Sequence, residues 1–385
     1  MFLEQTLKRN KELIKASFEL HQNGQIQPDS YVIDVDTFLK NASVMLKEAK
    51  EKEIRLFFML KQVGRNPYLA RKLVELGYEG AVVVDYKEAR VMMNHRIPIA
   101  NAGHLVQIPT AQIEEIVAYR PQMITVYSEE KISQIHQAAK KLGLIQEIIL
   151  RVTGDSDMIY SGQTAGFHLK TLKELAERVR TQYPCVRIAG VTSFPCFLYE
   201  ETVHDLMPTR NMETVKHAAE ILKDCGFQVT VINTPSGSCT YALGKIKEMG
   251  GNCSEPGHGL TGTTPMHADH MLEEVPCVTY VSEISHNFKG QAYCYGGGYY
   301  RRSHVKSALV GTSFDNYTEM GVIPPSNESI DYHFGLTKEG MVGDTVIMAF
   351  RYQIFVTRSD VVLVEGLEKK KPKIVGIYDS MGRKL

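Results

Sequence analysis

The stretch RLFFMLKQVGRNP, residues 55–67, combines an apolar run with a single lysine at its end. The run Leu56–Leu60 has the pattern of a buried strand, Lys61 follows it directly, and Pro67 opens a helical pattern. A lysine in this position is either a surface residue with a buried aliphatic stem or a lysine at the mouth of a barrel. In the second case burial can turn the amine into a nucleophile. The strands and helices around it decide between these interpretations.

Apolar strands alternate with helical patterns through about residue 255. The predicted strands are YVIDVD (31–36), the run at 54–60, GAVVVD (80–85), IPIANAG (97–103), MITVYS (123–128), EIILRV (147–152), VRIAGVTSF (186–194) and QVTVIN (228–233). This alternation is typical of a parallel sheet, and eight such units predict an α/β chain with a (β/α)8 TIM-like barrel. After about residue 272 strands follow one another with few helices. We therefore expect a helical extension over 1–30, a barrel over 31–272 and a C-terminal all-β domain over 273–385.

Composition excludes several classes of protein. The 385 residues are 43% apolar and carry 44 basic and 44 acidic side chains, so neither nucleic acid nor a membrane is an expected partner. The charged, helical N-terminus is not a signal peptide, and no apolar run is long enough to span a membrane. Seven scattered cysteines without a CxxC pair indicate reduced thiols in a cytoplasmic protein. The histidine pair of HADH (267–270) is weak evidence for a ligand site, and no metal is expected.

In a barrel of this type, the chemistry lies at the carboxyl ends of the strands. That rule selects Lys61, Asp85, His104, Ser128, Arg151, residues 192–196, Asn233–Ser238 and residues 253–259. Lys61 therefore lies where a catalytic lysine is expected, which favours the second interpretation of the opening stretch.

Two glycine turns follow late strands of the predicted barrel. In NTPSGSCTY (233–241), Ser236, Gly237 and Ser238 precede a helix, so backbone N–H groups there predict an anion site. An ordinary turn with a serine cap is the alternative. In CSEPGHGL (253–260), a second glycine turn follows Glu255. Two such turns commonly hold a phosphate, and a lysine beside a phosphate cradle suggests pyridoxal 5′-phosphate as the cofactor.

With these motifs, the chain resembles the fold-type III pyridoxal-phosphate enzymes, which include alanine racemases, D-threonine aldolases and the ornithine/arginine-type decarboxylases. It looks closest to the YhfX-like branch, over about residues 30 to 360. YVIDVDTFLKN (31–41) is similar to the family's first strand and helix, and SEPGHG (254–259) to the decarboxylases' glutamate-proline-glycine turn. The resemblance implies that Lys61, after the second strand, is the Schiff-base lysine. It also implies that Glu255 meets the pyridine nitrogen, where alanine racemases place arginine.

The resemblance extends to further site residues. In LRVTGDS (150–156), Arg151 matches a basic residue that helps orient the ring, and Phe194 stands where the family usually stacks a histidine. Phe194 can still stack on the ring, or it is a core phenylalanine. The remaining implied cofactor contacts are Ser236, Gly237, Ser238, Gly257 and His258.

The glycine-rich stretch YCYGGGYYRRSH (293–304) resembles the racemase segment whose tyrosine enters the site from the partner subunit. Tyr295 is the best match and Tyr299 the second choice, and an aromatic cross-strand pair is the alternative. The resemblance therefore implies a homodimer with shared active sites.

Together, the motifs predict a pyridoxal-phosphate enzyme that acts at Cα of an amino acid, a small-molecule substrate. A racemase or epimerase is expected first, with Lys61 and Tyr295 serving opposite faces as acid and base. The alternatives are a lyase, either a decarboxylase or a D-hydroxyamino-acid aldolase, a non-catalytic cofactor-binding protein and a cofactor-free aldolase. The stretch GDTVIMAFRYQIF (343–355) has no histidine or cysteine after its GD, which argues against a metal-dependent aldolase. Arg301, Arg302 and Arg351 are equal candidates for the substrate carboxylate.

Overall fold

The computed structural model describes residues 2–385, whose contacts divide them into two compact units. The barrel unit comprises Val44–Leu60 and Ala70–Gly257. The β unit comprises the chain up to Ser43 together with Lys61–Leu69 and His258–Leu385. The chain therefore leaves the barrel unit directly before Lys61 and again directly before His258.

The barrel unit contains a parallel sheet of short strands. Within residues 2–385 its eight barrel strands are β2 (Arg55–Leu56), β3 (Ala81–Val83), β4 (Ile99–Ala102), β5 (Met123–Val126), β6 (Gln146–Thr153), β8 (Val186–Thr192), β11 (Val231–Asn233) and β12 (Cys253–Ser254). Their order is β2-β12-β11-β8-β6-β5-β4-β3, and a parallel bridge between Phe58 and Ala81 joins the two ends of that order. This arrangement confirms the predicted TIM-like barrel.

Helices and short extra strands connect the barrel strands. The helices are α3 (Val35–Glu51), α4 (Pro67–Leu76), α5 (Tyr86–Asn94), α6 (Ile113–Ala118), α7 (Glu129–Lys141), α8 (Leu172–Gln182), α9 (Arg210–Asp224) and α10 (Thr240–Glu248). The extra strands are β7 (Phe167–His168), which pairs with β6, and the hairpin β9 (Phe197–Glu200) and β10 (Asp205–Pro208). Short 3-10 helices cover Thr110–Gln112 and Leu169–Thr171 in this unit, and Lys61–Val63 and Ile354–Val356 in the β unit.

Two helices of the barrel unit begin at a polar residue that follows a strand and caps the helix N-terminus. Asp85 accepts a hydrogen bond from the backbone N–H of Glu88 at 2.8 Å and caps α5. Ser128 caps α7 in the same way, with acidic residues in the first turn and lysines in the last, as the helix dipole favours. These two strand-end residues therefore serve the local structure.

The β unit contains a closed antiparallel barrel. Its strands are β1 (Ser30–Asp34), β13 (Val278–Phe288), β14 (Gln291–Tyr295), β15 (Ser307–Ser313), β16 (Asn316–Ile323), β17 (His333–Leu336), β18 (Thr345–Met348), β19 (Asp360–Glu365) and β20 (Lys373–Tyr378). Strands β14, β17, β16, β15, β18 and β13 pair in that order, and β13 pairs again with β14, which closes the ring. Strands β1, β19 and β20 extend the sheet beyond β13. This confirms the predicted C-terminal all-β region.

The N-terminal helices pack against this sheet. Helices α1 (Phe2–Arg9) and α2 (Lys11–Gln22) precede β1, and the short α11 (Pro265–Asp269) lies before β13. Phe18 and Ile14 of α2 are fully buried in one apolar cluster with Leu309 and Ile347. The predicted N-terminal extension is therefore an integral layer of the β unit. None of the helices formed by residues 2–385 is long and apolar enough to cross a membrane.

The prediction that residues 31–36 form the first barrel strand is wrong. Residues 31–34 lie in β1, which runs antiparallel to β13 and parallel to β19 in the β unit, and Val35 and Asp36 begin α3. Strand β12 takes the eighth place in the barrel. All five residues of β1 are buried, and a fully buried apolar strand has the same pattern in either sheet. The predicted domain boundaries at 30/31 and 272/273 accordingly differ from the observed division into units.

Candidate active site

A buried carboxylate lies where the last barrel strand ends. Glu255 directly follows β12, and its side chain is fully buried in the barrel unit. The amide Nδ2 groups of Asn233 and Asn101 donate to its Oε1 at 2.7 and 3.2 Å. The Nε2 of His104 lies 3.3 Å from its other oxygen, Oε2. Three side chains, two from β4 and the loop after it and one from the end of β11, therefore surround one carboxylate, as a buried charge requires.

The carboxylate fixes the orientation of these amides, and two threonines complete their hydrogen bonding. Because an ionised carboxylate only accepts, the amide nitrogen of Asn101 must face Glu255, and Thr125 then donates from Oγ1 to the Oδ1 of Asn101 at 2.8 Å. The Nδ2 of Asn233 also donates to Thr192 Oγ1 at 3.3 Å. The oxygen and nitrogen of an asparagine amide have nearly the same shape, and the hydrogen bonds identify which is which in Asn101. Glu255 Oε1 consequently receives two N–H donors.

Arg151, at the end of β6, is buried and held by polar contacts on two sides. Its NH1 group donates to the Tyr127 hydroxyl at 3.2 Å and its NH2 group to the Gln163 carbonyl at 2.8 Å. The guanidinium carbon lies 5.0 Å from the centre of the Tyr127 ring. Burial raises the pKa of the Tyr127 phenol, Arg151 opposes this effect, and the hydroxyl donates to the His104 carbonyl. Arg151 and His104 therefore belong to one connected network.

Phe194 follows β8 and is half-buried among aromatic side chains. Its ring centre lies 6.2 Å from that of His104 in an edge-to-face contact and 5.7 Å from that of Tyr160. A phenylalanine of the barrel core would be fully buried, as Phe57 and Phe58 are. The partial exposure is consistent with the predicted stacking role.

The first glycine turn is packed against the β9–β10 hairpin. The Ser236 hydroxyl donates to the Phe197 carbonyl, and a Cβ on Gly237 would lie 2.6 Å from the Leu206 side chain. Gly237 has a φ of +68°, which explains why glycine stands here, and Ser238 is buried. Helix α10 begins two residues later, as the sequence predicts. The hydroxyl of Ser236 is therefore engaged by the Phe197 carbonyl. Its contact with the phosphate stays a prediction, in which the backbone N–H of Ser236 is the donor.

Lys61 and His258 belong to the β unit. Lys61 opens the Lys61–Val63 helix, and His258 is buried, with Nδ1 3.0 Å from Thr263 Oγ1 and Nε2 3.2 Å from the amide nitrogen of Gln353. Burial lowers the pKa of the His258 imidazole well below its usual range, and the positive charges of Arg351 and Lys61 add to this effect. His258 is thus a neutral imidazole in a neighbourhood that Lys61 and Arg351 make positive.

The three glycines of YCYGGGYY lie in a tightly packed loop after β14. The Asp331 carboxylate accepts from the backbone N–H groups of Gly297 and Tyr299 at 3.2 and 3.1 Å. On the other side, a Cβ on Gly297 would lie 1.9 Å from an oxygen of Asp29. Two carboxylates therefore clamp the loop that carries Tyr295, and the glycines allow their close approach.

Tyr295 and Tyr299 differ in their surroundings. Tyr295 ends β14 and is 39% exposed, whereas Tyr299 is half-buried with its ring 5.7 Å from that of Phe334. Arg301 and Arg302 are exposed, and Arg351 is half-buried. Tyr295 is therefore the more accessible of the two candidate tyrosines.

Sequence reasoning did not single out Asn101 and Tyr127 as members of this network. Both lie on or just after barrel strands, but Asn101 is within β4, where the rule about strand ends does not apply. An available signal is that asparagine is disfavoured in strands, so a buried one in IPIANAG needs a polar partner. Among residues 2–385, no group of three or more His, Cys, Asp or Glu side chains is placed to hold a metal ion.

The family comparisons agree with this architecture. Residues 33–265 match the family model "Alanine racemase, N-terminal domain", and residues 279–374 match "YhfX-like, C-terminal domain". The chain belongs to the alanine racemase N-terminal domain family, a class of fold-type III enzymes whose cofactor is pyridoxal 5′-phosphate. It is 44% identical to "Uncharacterized protein YhfX" of Escherichia coli (strain K12), over the whole length of both chains.

Solved structures show the same fold at low sequence identity. D-threonine aldolase from Filomicrobium marinum has a TM-score of 0.67 at 17% identity, covering 93% of this chain and 96% of that one. An alanine racemase of Clostridium difficile 630 has a TM-score of 0.63 at 17% identity, covering 91% and 98%. A diaminopimelate decarboxylase from M. jannaschii has a TM-score of 0.64 at 15% identity, covering 92% and 90%.

The barrel residues themselves fit a polar, aromatic cofactor. Some buried polar atoms near the ends of its strands have no hydrogen-bond partner within the part of the chain that the structure describes: Arg151 Nε, Asn233 Oδ1, Thr234 Oγ1 and Ser254 Oγ. Buried polar groups normally have partners, so the Nε of Arg151 and the Oδ1 of Asn233, at the ends of their strands, are positioned to bind a polar ligand. The carboxylate of Glu255 suits a ring nitrogen, and the half-exposed ring of Phe194 offers a stacking surface.

Proposed function

We propose that the protein is a pyridoxal-phosphate enzyme acting at Cα of an amino acid, as a racemase or epimerase. The observation that carries the assignment to pyridoxal-phosphate chemistry is the buried carboxylate of Glu255, held by Asn101 and Asn233 at the carboxyl end of the barrel. When bound, the cofactor supplies an electron sink for negative charge that develops at Cα. Glu255 supports that sink by favouring a proton on the ring nitrogen.

The chain has a residue for each part of the cofactor. Lys61 would hold it through Nζ, Arg151 and Phe194 would orient and stack on the ring, and the backbone turns would receive the phosphate. The phosphate contacts proposed here are Ser236, Gly237, Ser238, Gly257 and His258. The His258 imidazole is neutral and both of its ring nitrogens contact protein groups, Thr263 and Gln353, so a hydrogen bond from it to the phosphate would have to replace one of these two contacts.

Two groups are proposed to exchange the Cα proton. Lys61 Nζ would act on one face, and the hydroxyl of Tyr295, from the partner chain of a homodimer, on the other. The exposure of Tyr295 and the rigid clamp on its loop support this role, because an acid or base for another chain must be accessible and fixed in position. Free thiols at all seven cysteines of the described chain are consistent with a cytoplasmic enzyme.

A lyase is the second candidate. A carboxylate at the position of Glu255 resembles the decarboxylases rather than the alanine racemases, and the same charge develops at Cα whichever bond breaks. Whether the product is an inverted amino acid or a cleaved one therefore decides between the two functions.

The first test concerns Lys61. Borohydride treatment of the wild-type protein should attach the cofactor permanently to the peptide that contains Lys61. Lys61→Ala should lose this attachment and the associated visible absorption, because the β unit then offers no amine at that position. Lys72→Ala, at a lysine on the face of α4, is the matched control and should keep both. A wild-type protein that takes up no cofactor would overturn the proposal.

The second test separates racemase from lyase. A panel of D- and L-amino acids is incubated with the enzyme in deuterium oxide, and Cα exchange, inversion and release of carbon dioxide or aldehyde are measured together. We expect exchange with inversion of one substrate. Exchange without inversion, together with a cleavage product, would assign the lyase function instead.

A further inference from the structure

The β9–β10 hairpin lies against the turn that is proposed to receive the phosphate. On the side of β9, the Phe197 carbonyl accepts a hydrogen bond from the Ser236 hydroxyl. On the side of β10, the buried side chain of Leu206 packs directly on Gly237, where a Cβ would lie only 2.6 Å from Leu206 Cδ1. Both strands of the hairpin therefore contact the turn.

Helix α10, which begins shortly after the turn, fastens the same hairpin. Lys245 Nζ donates to the Asp205 carboxylate at 2.6 Å and to the Leu206 carbonyl at 2.8 Å. The Tyr241 hydroxyl donates to the other oxygen of Asp205 at 2.9 Å. Tyr241 and Lys245 are four residues apart in α10, so their side chains lie on the same face of the helix. We call Asp205, Tyr241 and Lys245 the latch.

The hairpin depends on these contacts for its position. Within residues 2–385, β9 and β10 form a two-stranded sheet that pairs with no other strand. An isolated two-stranded hairpin is only marginally stable, so packing on the turn and the latch must hold it in place. The hydrogen bond from Lys245 lowers the pKa of the Asp205 carboxyl, which is therefore ionised at neutral pH. Hydrogen bonds between charged groups are stronger than those between neutral ones.

We propose that the β9–β10 hairpin braces the phosphate turn, and that Asp205 and Lys245 are positioning residues that keep this turn in the conformation that binds phosphate. This inference rests on the proposed function and adds to it two residues outside the predicted phosphate contacts. Backbone N–H groups bind an anion only when they point toward a common centre. Gly237, at a φ of +68°, leaves such a conformation easily unless Leu206 covers it.

The test measures how much the phosphate group contributes to cofactor binding. Resident cofactor is removed from the full-length protein, and dissociation constants are measured for pyridoxal 5′-phosphate and for pyridoxal, which lacks the phosphate. Their ratio is the phosphate preference. Lys245→Ala and Asp205→Ala should each lower it roughly three- to tenfold, because binding must then order the turn. The double variant should lower it little further, since both changes remove the same latch.

The sign of the Asp205 effect separates the latch from simple electrostatics. By charge alone, loss of the Lys245 cation should weaken phosphate binding, and loss of the Asp205 anion should strengthen it. The latch predicts a weaker preference in both variants. If Asp205→Ala does not fold, Asp205→Asn keeps the shape of the side chain and should change the preference in the same direction.

A conservative variant and a matched control complete the test. Lys245→Arg keeps a cation with several N–H donors and should leave the phosphate preference within about twofold of wild type. Lys247→Ala removes a lysine of the same helix whose Nζ lies 2.9 Å from the Glu53 carboxylate, and it should leave the preference unchanged.

Two results would overturn the brace. One is a phosphate preference that rises in Asp205→Ala or stays at the wild-type value in both single variants. The other is an equal loss of affinity for pyridoxal and for its phosphate, because the disturbance would then not be specific to the turn. A wild-type protein that binds neither compound would instead overturn the proposed function itself.

Discussion

At the scale of residues, the candidate site is organised by the cost of burying one carboxylate. Glu255 is stabilised in the barrel by hydrogen bonds from Asn233 and Asn101, with His104 at its second oxygen. Each donor would itself be costly to bury alone, so the network is stable only when complete. This explains why asparagines, which strands disfavour, stand on β4 and β11.

The dependence of Glu255 on its donors can be measured. Asn233→Ala should lower the free energy of unfolding by about 1–3 kcal/mol, because it leaves a buried charge with one donor fewer. For a unit of this size that corresponds to roughly 2–4 °C in melting temperature per kcal/mol. Thermal unfolding of the cofactor-free protein provides the measurement.

A double variant separates this effect from lost packing. Adding Glu255→Gln to Asn233→Ala should cost less than the sum of the two single changes, since a neutral amide needs fewer donors than a carboxylate. Asn252→Ala, at a partly exposed asparagine that bonds backbone groups of the same unit, is the control and should be additive with Glu255→Gln. Strict additivity for Asn233 would contradict the network.

The sequence predicted those site residues that lie at the carboxyl ends of the barrel strands. The ends of strands predicted Arg151, Asn233, Glu255 and His104, because parallel strands direct their carboxyl ends to one side of a barrel. The same rule also selected Asp85 and Ser128, which cap helices. Asn101 lay outside the rule, because it lies within β4, and its contact with Glu255, 154 positions away in the chain, exists only in the folded barrel.

At the scale of elements, the glycine loop after β14 shows a structural reason for a motif that the sequence links to function. Gly297 is clamped between Asp29 and Asp331, and the Tyr31 hydroxyl donates to the Gly298 carbonyl at 2.5 Å. The three glycines therefore provide space for the clamp. The clamp in turn fixes the backbone at Tyr295, whose carbonyl accepts a hydrogen bond at 2.7 Å from Ser282.

Alanine substitutions test the clamp. Gly297→Ala places a Cβ on the Asp29 carboxylate at a φ of +130°, so we expect a loss of at least about 3 kcal/mol in unfolding free energy. Gly290→Ala is the matched control: it also has a positive φ, +79°, but no heavy atom lies within 4 Å of its Cβ. Its loss should be about 1–2 kcal/mol from backbone strain alone. Equal losses in the two variants would show that packing against Asp29 contributes nothing.

Asp29 gives the β unit a dependence on pH. Burial raises its pKa to about 7, against about 3.9 for an unfolded aspartate. The protonated form is thus favoured by folding, and the stability it contributes is complete below about pH 4 and is lost as the pH rises through 7. Asp29→Asn mimics the protonated form and tolerates the φ of +65°, so its gain in melting temperature over wild type should be clearly larger at pH 8 than at pH 5.

The control for this prediction is another aspartate of the same unit. Asp315→Asn, at an exposed position between β15 and β16, should leave the difference in melting temperature between pH 5 and pH 8 as in wild type. If Asp29→Asn retains the wild-type pH dependence, the carboxyl of Asp29 is not the group responsible.

Some elements of the fold could not be assigned correctly from the sequence. The alternation of apolar runs and helices predicted the barrel, because each unit repeats a local pattern. It did not assign residues 31–36, since full burial looks the same in both sheets and the partners of β1 lie about 250 and 330 residues further along the chain. Strands β16 and β20 were not predicted, because most of their residues are at least partly exposed and apolar patterning is weak there. Strand β17 was not predicted either, although three of its four residues are buried.

At the scale of the whole molecule, the N-terminal helices make the β unit a structure built from distant parts of the chain. Helix α2 buries Leu13 and Leu20 with Val32, Val281 and Val362, and His21 bonds Thr345 at 2.8 Å. A truncation before β1 would expose this apolar face of the sheet. The β unit that presents Tyr295 is therefore expected to need the complete chain, and experiments on shared sites should use full-length protein.

The last prediction concerns a site shared between two copies of the chain. If Tyr295 serves the partner's Lys61, a dimer of Lys61→Ala with Tyr295→Phe contains one intact site and one that lacks both groups. Each variant alone should be inactive in racemisation, and random exchange of subunits should restore about a quarter of wild-type activity, because half of the dimers are mixed and each has one working site.

The matched control mixes wild type with the double variant Lys61→Ala/Tyr295→Phe. Shared sites leave about a quarter of the activity, since every mixed dimer is dead, whereas unshared sites leave about half. Subunit exchange is verified by mass spectrometry of differently tagged chains. No restored activity after verified exchange, together with half activity in the control, would place Tyr295 and Lys61 of one site on the same chain.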